Sequence, residues 1–236
     1  MWYIFCKGGL RMKQAFTLAE VLITLSIIGV VAALTLPSLI SKNNTAAMES
    51  KLKKTYSVLS QSLLFAAGEL GGLDAVEFKD GNTESTEEMF YTYLEKYLKI
   101  SKKCVNSKGC WAQARDLRGV KVGAEAGIGS NIITFTTYDG LSICMDGKTA
   151  ADMAIYYGIK TNKDGLVFYI DVNGMKNPNT FGKDIFLFGF SDKGLLPAGK
   201  NSTPEQIENS CSASGNGYLC ASKVMGNGWH LEDENL

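Results

Sequence analysis

The sequence predicts an α+β fold, in which one long N-terminal helix packs on a small antiparallel β-sheet. Three observations support this prediction: an apolar run near the N-terminus, an amphipathic stripe after it, and strand patterns with hairpin spacing further on. The chain has 236 residues, enough for one domain with its own core and an N-terminal extension. Because 24 basic residues balance 24 acidic ones, the composition does not indicate a nucleic-acid partner.

The apolar run extends from Phe16 to Leu36 and contains one carboxylate, Glu20. Its length suits a membrane-spanning helix, which takes roughly 20 residues. Pro37 and Ser38 follow in place of a small-x-small cleavage site, so we expect the apolar helix to remain on the mature protein. A carboxylate in hydrocarbon is costly unless it is protonated or has a partner, so Glu20 calls for a functional explanation.

Residues 1–11 precede a second methionine, Met12, which opens a short basic segment before the apolar run. Lys7-Gly8-Gly9 can be encoded as a purine-rich ribosome-binding site, so we expect Met12 to be the true start. The alternative is a longer basic leader that begins at Met1. Residues 1–15 are therefore assigned to a leader, of which residues 1–11 are not translated if Met12 is the start, and in both cases they are left out of the fold.

After Pro37 the pattern becomes amphipathic. Apolar residues recur at steps of three and four, which predicts one helical stripe that packs on the protein's own sheet: Leu52, Tyr56, Leu59, Leu63, Ala66 and Leu70. Glycines at 68, 71 and 72 end this helix of about 50 residues. Pro37 lacks an amide hydrogen, so we expect the helix to kink or melt locally there. A second helical face is predicted from Phe90 to Ile100.

Alternating apolar residues then predict antiparallel strands. Residues 132–136 and 141–145 flank Tyr138-Asp139-Gly140, which is a hairpin signal. Two further strands are predicted over residues 166–172 and 184–190. The segment from Gly199 to Asn227 is rich in Gly, Ser and Asn and is interpreted as a long loop.

Five cysteines follow the apolar run, and their spacing favours two local disulfides, Cys104–Cys110 and Cys211–Cys220. Cys144 is then expected to be a buried thiol. Pairing of Cys144 with Cys211 or Cys220 stays open, because sequence does not fix connectivity.

The segment between the last two predicted strands, residues 171–184, is a candidate calcium loop. Asp171, Asn173 and Asp184 supply the oxygen ligands that Ca²⁺ prefers, and Asn179 is a further candidate. The spacing is not that of an EF-hand. The alternative is a metal-free turn built on Asn, Gly and Pro.

Residues 13–20, Lys-Gln-Ala followed by Phe-Thr-Leu-Ala-Glu, resemble the processing site of type IV pilins and type II secretion pseudopilins. The resemblance covers about residues 12–40. It implies a pilin-like fold and a membrane peptidase that cuts between Ala15 and Phe16 and N-methylates Phe16. Ala15 departs from the usual Gly before the cut, which puts cleavage efficiency in doubt. Calcium in a loop of the C-terminal sheet is a known feature of major pseudopilins.

The resemblance also gives Glu20 a role in subunit assembly, because it stands at the fifth mature position, where the family places its Glu. The free α-amino group of Phe16 in a neighbouring subunit would neutralise the carboxylate. Glu20 would then stabilise one axial offset between neighbouring subunits of a helical filament and destabilise other offsets.

The resulting expectation is a single-pass membrane precursor that polymerises into a type IV pilus-like or type II secretion filament. Residues 16–37 form the transmembrane and assembly helix, and residues 38–236 form a head outside the cytoplasm. The expected partners are the same chain and related pilins, the prepilin peptidase, the inner membrane and its assembly machinery. The alternative is a minor tip pilin that acts as a binding or adhesion module. We do not expect an enzyme, because His230 is the one histidine in the sequence and lies near the C-terminus.

Overall fold

The computed structural model describes residues 17–78, 83–123 and 132–231. Helix α1 (Leu18–Glu69) opens the described chain. By backbone proximity the chain divides into two compact units, Met1–Asn44 and Thr45–Leu236, and α1 contributes residues to both. The long N-terminal helix and the antiparallel sheet that follows it confirm the predicted α+β fold.

In the first unit, the described residues are Thr17 and a helical segment that continues without a break through Pro37. Of the two outcomes expected at Pro37, a kink or local melting, the melting is wrong, because the residues on both sides remain helical. A proline removes one backbone donor, whereas the turns on both sides keep their bonds. The hydroxyls of Thr35 and Ser38 also donate to carbonyls of the preceding turn, at Val31 (2.9 Å) and Thr35 (3.0 Å).

In the second unit, the predicted stripe of α1 lies in the core. Leu52, Leu59, Leu63 and Ala66 are fully buried. The helix ends at Glu69, among three glycines at positions 68, 71 and 72 that lack a side chain to restrict the backbone. Gly72 has a φ of 122° and donates its amide to the Ala67 carbonyl at 2.7 Å, which satisfies one of the last helical acceptors.

A six-stranded antiparallel meander forms the sheet, with its strands in sequence order. The strands are β1 (Ile100–Val105), β2 (Ile132–Thr137), β3 (Ser142–Lys148), β4 (Gly165–Asp171), β5 (Ile185–Ser191) and β6 (Gly194–Pro197). The predicted hairpin is present, with β2 and β3 joined through Tyr138-Asp139-Gly140. Strands β1 and β6 were not predicted.

Both faces of the sheet are covered, where the sequence predicted one covered face. Phe168 and Phe188 face the cluster that includes α1, whereas the intervening Val167 and Leu187 face a second cluster. This alternation reflects the two-residue period of a strand. Because both faces are buried, successive residues of β4 and β5 are apolar, and their sequences form nearly continuous apolar runs. Helix α3 (Ala150–Tyr157) contributes buried residues to the second cluster.

Between α1 and β1, the chain forms a short 3₁₀ turn (Leu73–Ala75), helix α2 (Thr83–Glu88), a π-helical segment (Met89–Leu94) and a 3₁₀ turn (Glu95–Tyr97). The predicted helical face from Phe90 therefore exists, but it stops before Ile100, which begins β1. Phe90 and Leu94 are fully buried.

The C-terminal segment is helical, so its interpretation as a long loop is wrong. Helix α4 (Pro204–Cys211) begins at a capping box in which the Thr203 hydroxyl accepts from the Gln206 amide and the Gln206 side chain accepts from the Thr203 amide. Helix α5 (Cys220–Gly226) follows and buries Ala221 and Val224. Local capping thus outweighs a composition that is typical of loops.

Candidate functional sites

The N-terminal end of α1 is a capping box formed by Thr17 and Glu20. The Thr17 amide and hydroxyl both donate to Glu20 Oε2 at 2.8 Å, and the Glu20 amide donates to Thr17 Oγ1 at 3.2 Å. Each residue therefore satisfies a polar group that a helix start leaves unpaired. The Thr-x-x-Glu spacing is the sequence signal for this arrangement, which was not among the predicted features.

The predicted cleavage and methylation residues, Ala15 and Phe16, lie outside the described residues. Glu20 is exposed in the chain by itself. The large apolar side chains between Glu20 and Ile40 are also exposed, and they include Leu22, Ile28 and Leu34. Helix α1 is long and apolar enough over one stretch to cross a membrane, with a mean hydropathy of 2.3 and none of that stretch buried.

The candidate calcium loop brings its three predicted ligands together between β4 and β5. Asp184 accepts from the Asn173 side-chain amide at 2.9 Å and from the backbone amides of Asn179 (2.8 Å) and Thr180 (2.5 Å). Asp171 accepts from the Asn173 amide at 3.2 Å. Asn179 takes part through its backbone, because its side chain donates to Asn177 instead.

Two carboxyl groups are buried in this loop. Asp171 and Asp184 are each 1% exposed. Burial, and then the nearby charge of Asp184, raise the pKa of Asp171 to about 9. Burial also raises the pKa of Asp184, although the amides of Thr180, Asn179 and Asn173 oppose the shift. The pair cannot be doubly ionised at low cost near neutral pH without a compensating positive charge.

Two buried oxygens near these carboxyl groups have no hydrogen-bond partner: Asn173 Oδ1 and Ser142 Oγ. Ser142 is opposite Asp171 in the β3–β4 register. Gly174 holds the loop against this hairpin, because a Cβ there would lie 2.5 Å from the Gly140 carbonyl oxygen and 4.0 Å from Ser142 Oγ. Unpaired buried oxygens are rare, since each loses its hydration without compensation.

These groups are oxygen donors of the kinds that Ca²⁺ takes: carboxylate, amide and hydroxyl. No group of three or more His, Cys, Asp or Glu side chains with a metal-binding arrangement is found within the described ranges. A cation in this loop would therefore depend on amide, hydroxyl or backbone oxygens in addition to the two aspartates. Such a donor set fits a hard cation and not a zinc ion.

The structure contains two local disulfides, Cys104–Cys110 and Cys211–Cys220. Cys144 is a buried free thiol, and burial raises its pKa well above the usual value. The thiol form of Cys144 is therefore the stable one, and this sulfur is a packing group of the second cluster.

The C-terminal segment also lines a polar pocket of about 700 Å³. Its walls come from the end of α3, the turn before α4, the region between α4 and α5, and Arg118. This pocket could not be predicted from sequence patterns, because the residues of its walls are far apart along the chain.

The N-terminal segment supports a prepilin of the type IV pilin or pseudopilin type, and the long helix followed by an antiparallel sheet has a pilin-like layout. Residues 10–36 match the prokaryotic N-terminal methylation motif. Residues 38–234 match a family of unknown function, DUF6613, and the chain belongs to that family. No curated protein and no solved structure matches the chain. The methylation motif and the apolar N-terminal helix fit a membrane-anchored precursor.

Proposed function

We propose that the protein is a structural subunit of a type IV pilus-like or type II secretion filament. The methylation motif supports this proposal most directly, because it covers an apolar helix whose side chains are exposed when the chain is alone. A monomer with that surface needs either lipid or neighbouring helices around it. The role is structural and not catalytic: the prepilin peptidase acts on the Ala15–Phe16 bond, and the chain is its substrate.

Processing creates the partner that Glu20 needs. Cleavage before Phe16 frees an α-amino group, which becomes N-methylated and stays cationic. The Thr17 amide and hydroxyl hold the Glu20 carboxylate in the monomer. In the filament, the Phe16 ammonium group of a neighbouring subunit adds a charge-assisted bond to it, which is stronger than a bond between neutral groups. Glu20 then sets the axial stagger of the subunits.

The precursor resides in the cytoplasmic membrane with its head outside the cytoplasm. Lys13, on the other flank of the apolar helix, agrees with the positive-inside rule. An assembly machinery in the inner membrane extracts the processed chain into a homopolymer, together with related pilins. The two disulfides fit an oxidising compartment.

A calcium ion in the loop between β4 and β5 is a further part of this proposal. The buried pair Asp171 and Asp184 and the unpartnered oxygens of Asn173 and Ser142 support it. The ion would neutralise both carboxylates and give the two oxygens a ligand. A calcium ion there would favour the secretion pseudopilus over the pilus.

The second candidate function is that of a minor tip pilin that binds a ligand. The observation in its favour is the pocket lined by the C-terminal segment, since folded walls suit a binding site better than a loop would. Abundance separates the two candidates, because a major subunit greatly outnumbers a tip protein in a purified filament.

The filament role is tested with Glu20→Gln, which keeps the shape of the side chain and removes its charge. We expect normal membrane levels and processing, and loss of the subunit from sheared filaments. Glu205→Gln, an exposed head position, is the matched control and should assemble like the parent. Filaments that contain Glu20→Gln at parental levels would refute the role of Glu20 in assembly.

A further inference from the structure

The pocket of about 700 Å³ lined by the C-terminal segment has two cationic side chains in its wall and is rich in hydrogen-bond donors. Arg118 and Lys160 line it, and no Asp or Glu is among the described residues of its wall. The Lys160 ammonium group has no ion-pair partner in the described part of the chain. Its backbone amide and carbonyl, in contrast, are held by the Asn201 side chain (2.8 Å) and the Lys193 ammonium (2.8 Å).

Arg118 is positioned by the aspartate two residues before it. Asp116 accepts from Arg118 Nε at 2.9 Å and from Nη2 at 2.5 Å, and its other oxygen accepts from the Val120 amide at 2.9 Å. The Asp116 side chain is fully buried, whereas that of Arg118 is 54% exposed. The guanidinium is thus fixed at one edge, which leaves Nη1 as a donor to a ligand.

Three amide side chains of the wall also act as donors: Asn201, Gln206 and Asn216. Each uses its oxygen to accept from a backbone amide, which belongs to Lys160, Thr203 and Tyr218, respectively. Because a backbone N–H can only donate, the oxygen of each side chain must face it, and the NH₂ group is left for a ligand. This assignment makes the pocket complementary to a ligand with several acceptor oxygens.

An apolar patch completes the wall. Ile155 is 73% exposed and Tyr156 is 58% exposed, and both lie at the end of α3. Exposed apolar side chains next to positioned polar groups are typical of small-molecule sites, where the apolar part covers the carbon skeleton of the ligand. A tyrosine ring offers a flat face for this contact.

We propose that this pocket binds an anionic saccharide, a sugar ring that carries a carboxylate. Lys160 and Arg118 bind the carboxylate, the three amides donate to ring and hydroxyl oxygens, and Tyr156 covers the C–H face of the ring. A bare inorganic anion would fill a small part of such a volume. An extended peptide normally pairs with a strand edge, and the wall of this pocket consists of helix ends and turns. The proposal concerns the head alone and does not depend on polymerisation.

The test is calorimetric titration of the full-length chain in detergent with sodium glucuronate at low salt. We expect saturable binding, and weaker binding of glucose, which lacks the carboxylate. Lys160→Gln should weaken glucuronate binding about tenfold, because it removes a charge-assisted bond. Lys53→Gln, an exposed lysine of α1 outside the pocket wall, is the matched control and should leave the affinity unchanged.

Tyr156→Ala is the second variant and should weaken both sugars, since the ring covers carbon and not charge. The absence of saturable glucuronate binding would overturn the proposal. Equal affinity for glucose would overturn the anionic specificity. Equal affinity for sodium sulfate, or tighter binding of an aspartate-rich peptide, would overturn the sugar assignment. If Lys53→Gln loses as much glucuronate affinity as Lys160→Gln, the loss reflects the net charge of the protein, and the proposed site is contradicted.

Discussion

Thr17 and Glu20 pair reciprocally at the start of α1, through the Glu20 carboxylate on the Thr17 amide and the Thr17 hydroxyl on the Glu20 amide. The carboxylate in the apolar helix is therefore not unpartnered in the single chain. The Thr17 amide belongs to the Phe16–Thr17 peptide bond, which cleavage after Ala15 leaves intact. The capping box is thus compatible with both the precursor and the mature protein.

Thr17→Ala should fray the first turn of α1, because it removes an N-cap hydroxyl worth about 1 kcal/mol. We expect amide hydrogen exchange at Glu20 and Val21, whose amides donate to Thr17, to rise about fivefold for the full-length chain in detergent. Thr24→Ala is the control, since its hydroxyl bonds a carbonyl inside the helix at Val21 and caps nothing. Equal exchange in the two variants would contradict the capping role.

Calcium should stabilise the chain against unfolding, by about 2.7 kcal/mol at one hundred times the dissociation constant. Asp171→Asn should abolish this response. It should leave the metal-free chain at least as stable as the parent at neutral pH, because Asp171, with a pKa of about 9, must take up a proton to be buried and Asn needs none. Differential scanning calorimetry with EDTA, Ca²⁺ or Mg²⁺ measures the effect.

The control for the calcium experiment is Glu205→Gln, an acidic surface residue outside the loop, which should respond to Ca²⁺ like the parent. The calcium site is refuted if millimolar Ca²⁺ leaves the unfolding temperature unchanged. An equal shift with Mg²⁺ would point to general screening of charge and would also count against a specific site.

Acid should weaken the head through Asp116. Burial opposes ionisation of Asp116, but the Arg118 guanidinium and the Val120 amide outweigh it and lower the pKa from 3.8. A lowered folded-state pKa stabilises the fold above the unfolded-state pKa, and this stability is lost as the pH falls through the folded-state value. Asp116→Asn should therefore be destabilising at neutral pH, with a cost that shrinks below about pH 4.

Urea unfolding of parent and Asp116→Asn between neutral and acidic pH measures that difference. Asp164→Asn provides a comparison, because the Asp164 carboxylate also accepts from a backbone amide, that of Ala150 at 2.9 Å, but is not part of the Asp116–Arg118 ion pair. A cost of Asp116→Asn that stays constant with pH would contradict the linkage to Asp116 ionisation.

Replacement of Cys211 and Cys220 by Ala should destabilise the head by about 2–4 kcal/mol, because the crosslink restricts the unfolded chain. Both sulfurs are also buried against α1 and the sheet, so the substitution loses packing as well. The urea midpoint should fall more than for the Cys104–Cys110 pair, which closes a shorter loop, six residues apart against nine. A larger fall in the urea midpoint for the Cys104–Cys110 replacement than for the Cys211–Cys220 replacement would contradict this prediction.

The sequence predicted those parts of the fold whose signal is local. The stripe of α1 and the β2–β3 hairpin follow from apolar spacing and one turn. Strand β6 is four residues long, and α3 has eight residues, so neither offered a sustained period. The α4 start did have a readable signal, Thr203-Pro204-Glu205-Gln206, which the Gly/Ser/Asn composition of the segment obscured.

The difference between local sequence signals and contacts made only in the folded chain also explains which site residues could be predicted. Asp171, Asn173 and Asp184 could be grouped from sequence because one loop carries all of them. Ser142 comes from another strand, and its proximity to Gly174 depends on the β3–β4 register and the turn at Gly140. The polar pocket combines Arg118, Lys160 and the C-terminal segment, which only the folded head brings together.

The most direct test of the filament account is mass spectrometry of the N-terminal peptide of the protein extracted from membranes. We predict a peptide that begins at N-methylated Phe16. A peptide that begins at Met12 or Met1 would mean that the bond after Ala15 is not cut and that Glu20 has no free Phe16 amino group to meet. The protein would then be a membrane-anchored head, and the filament role would be refuted.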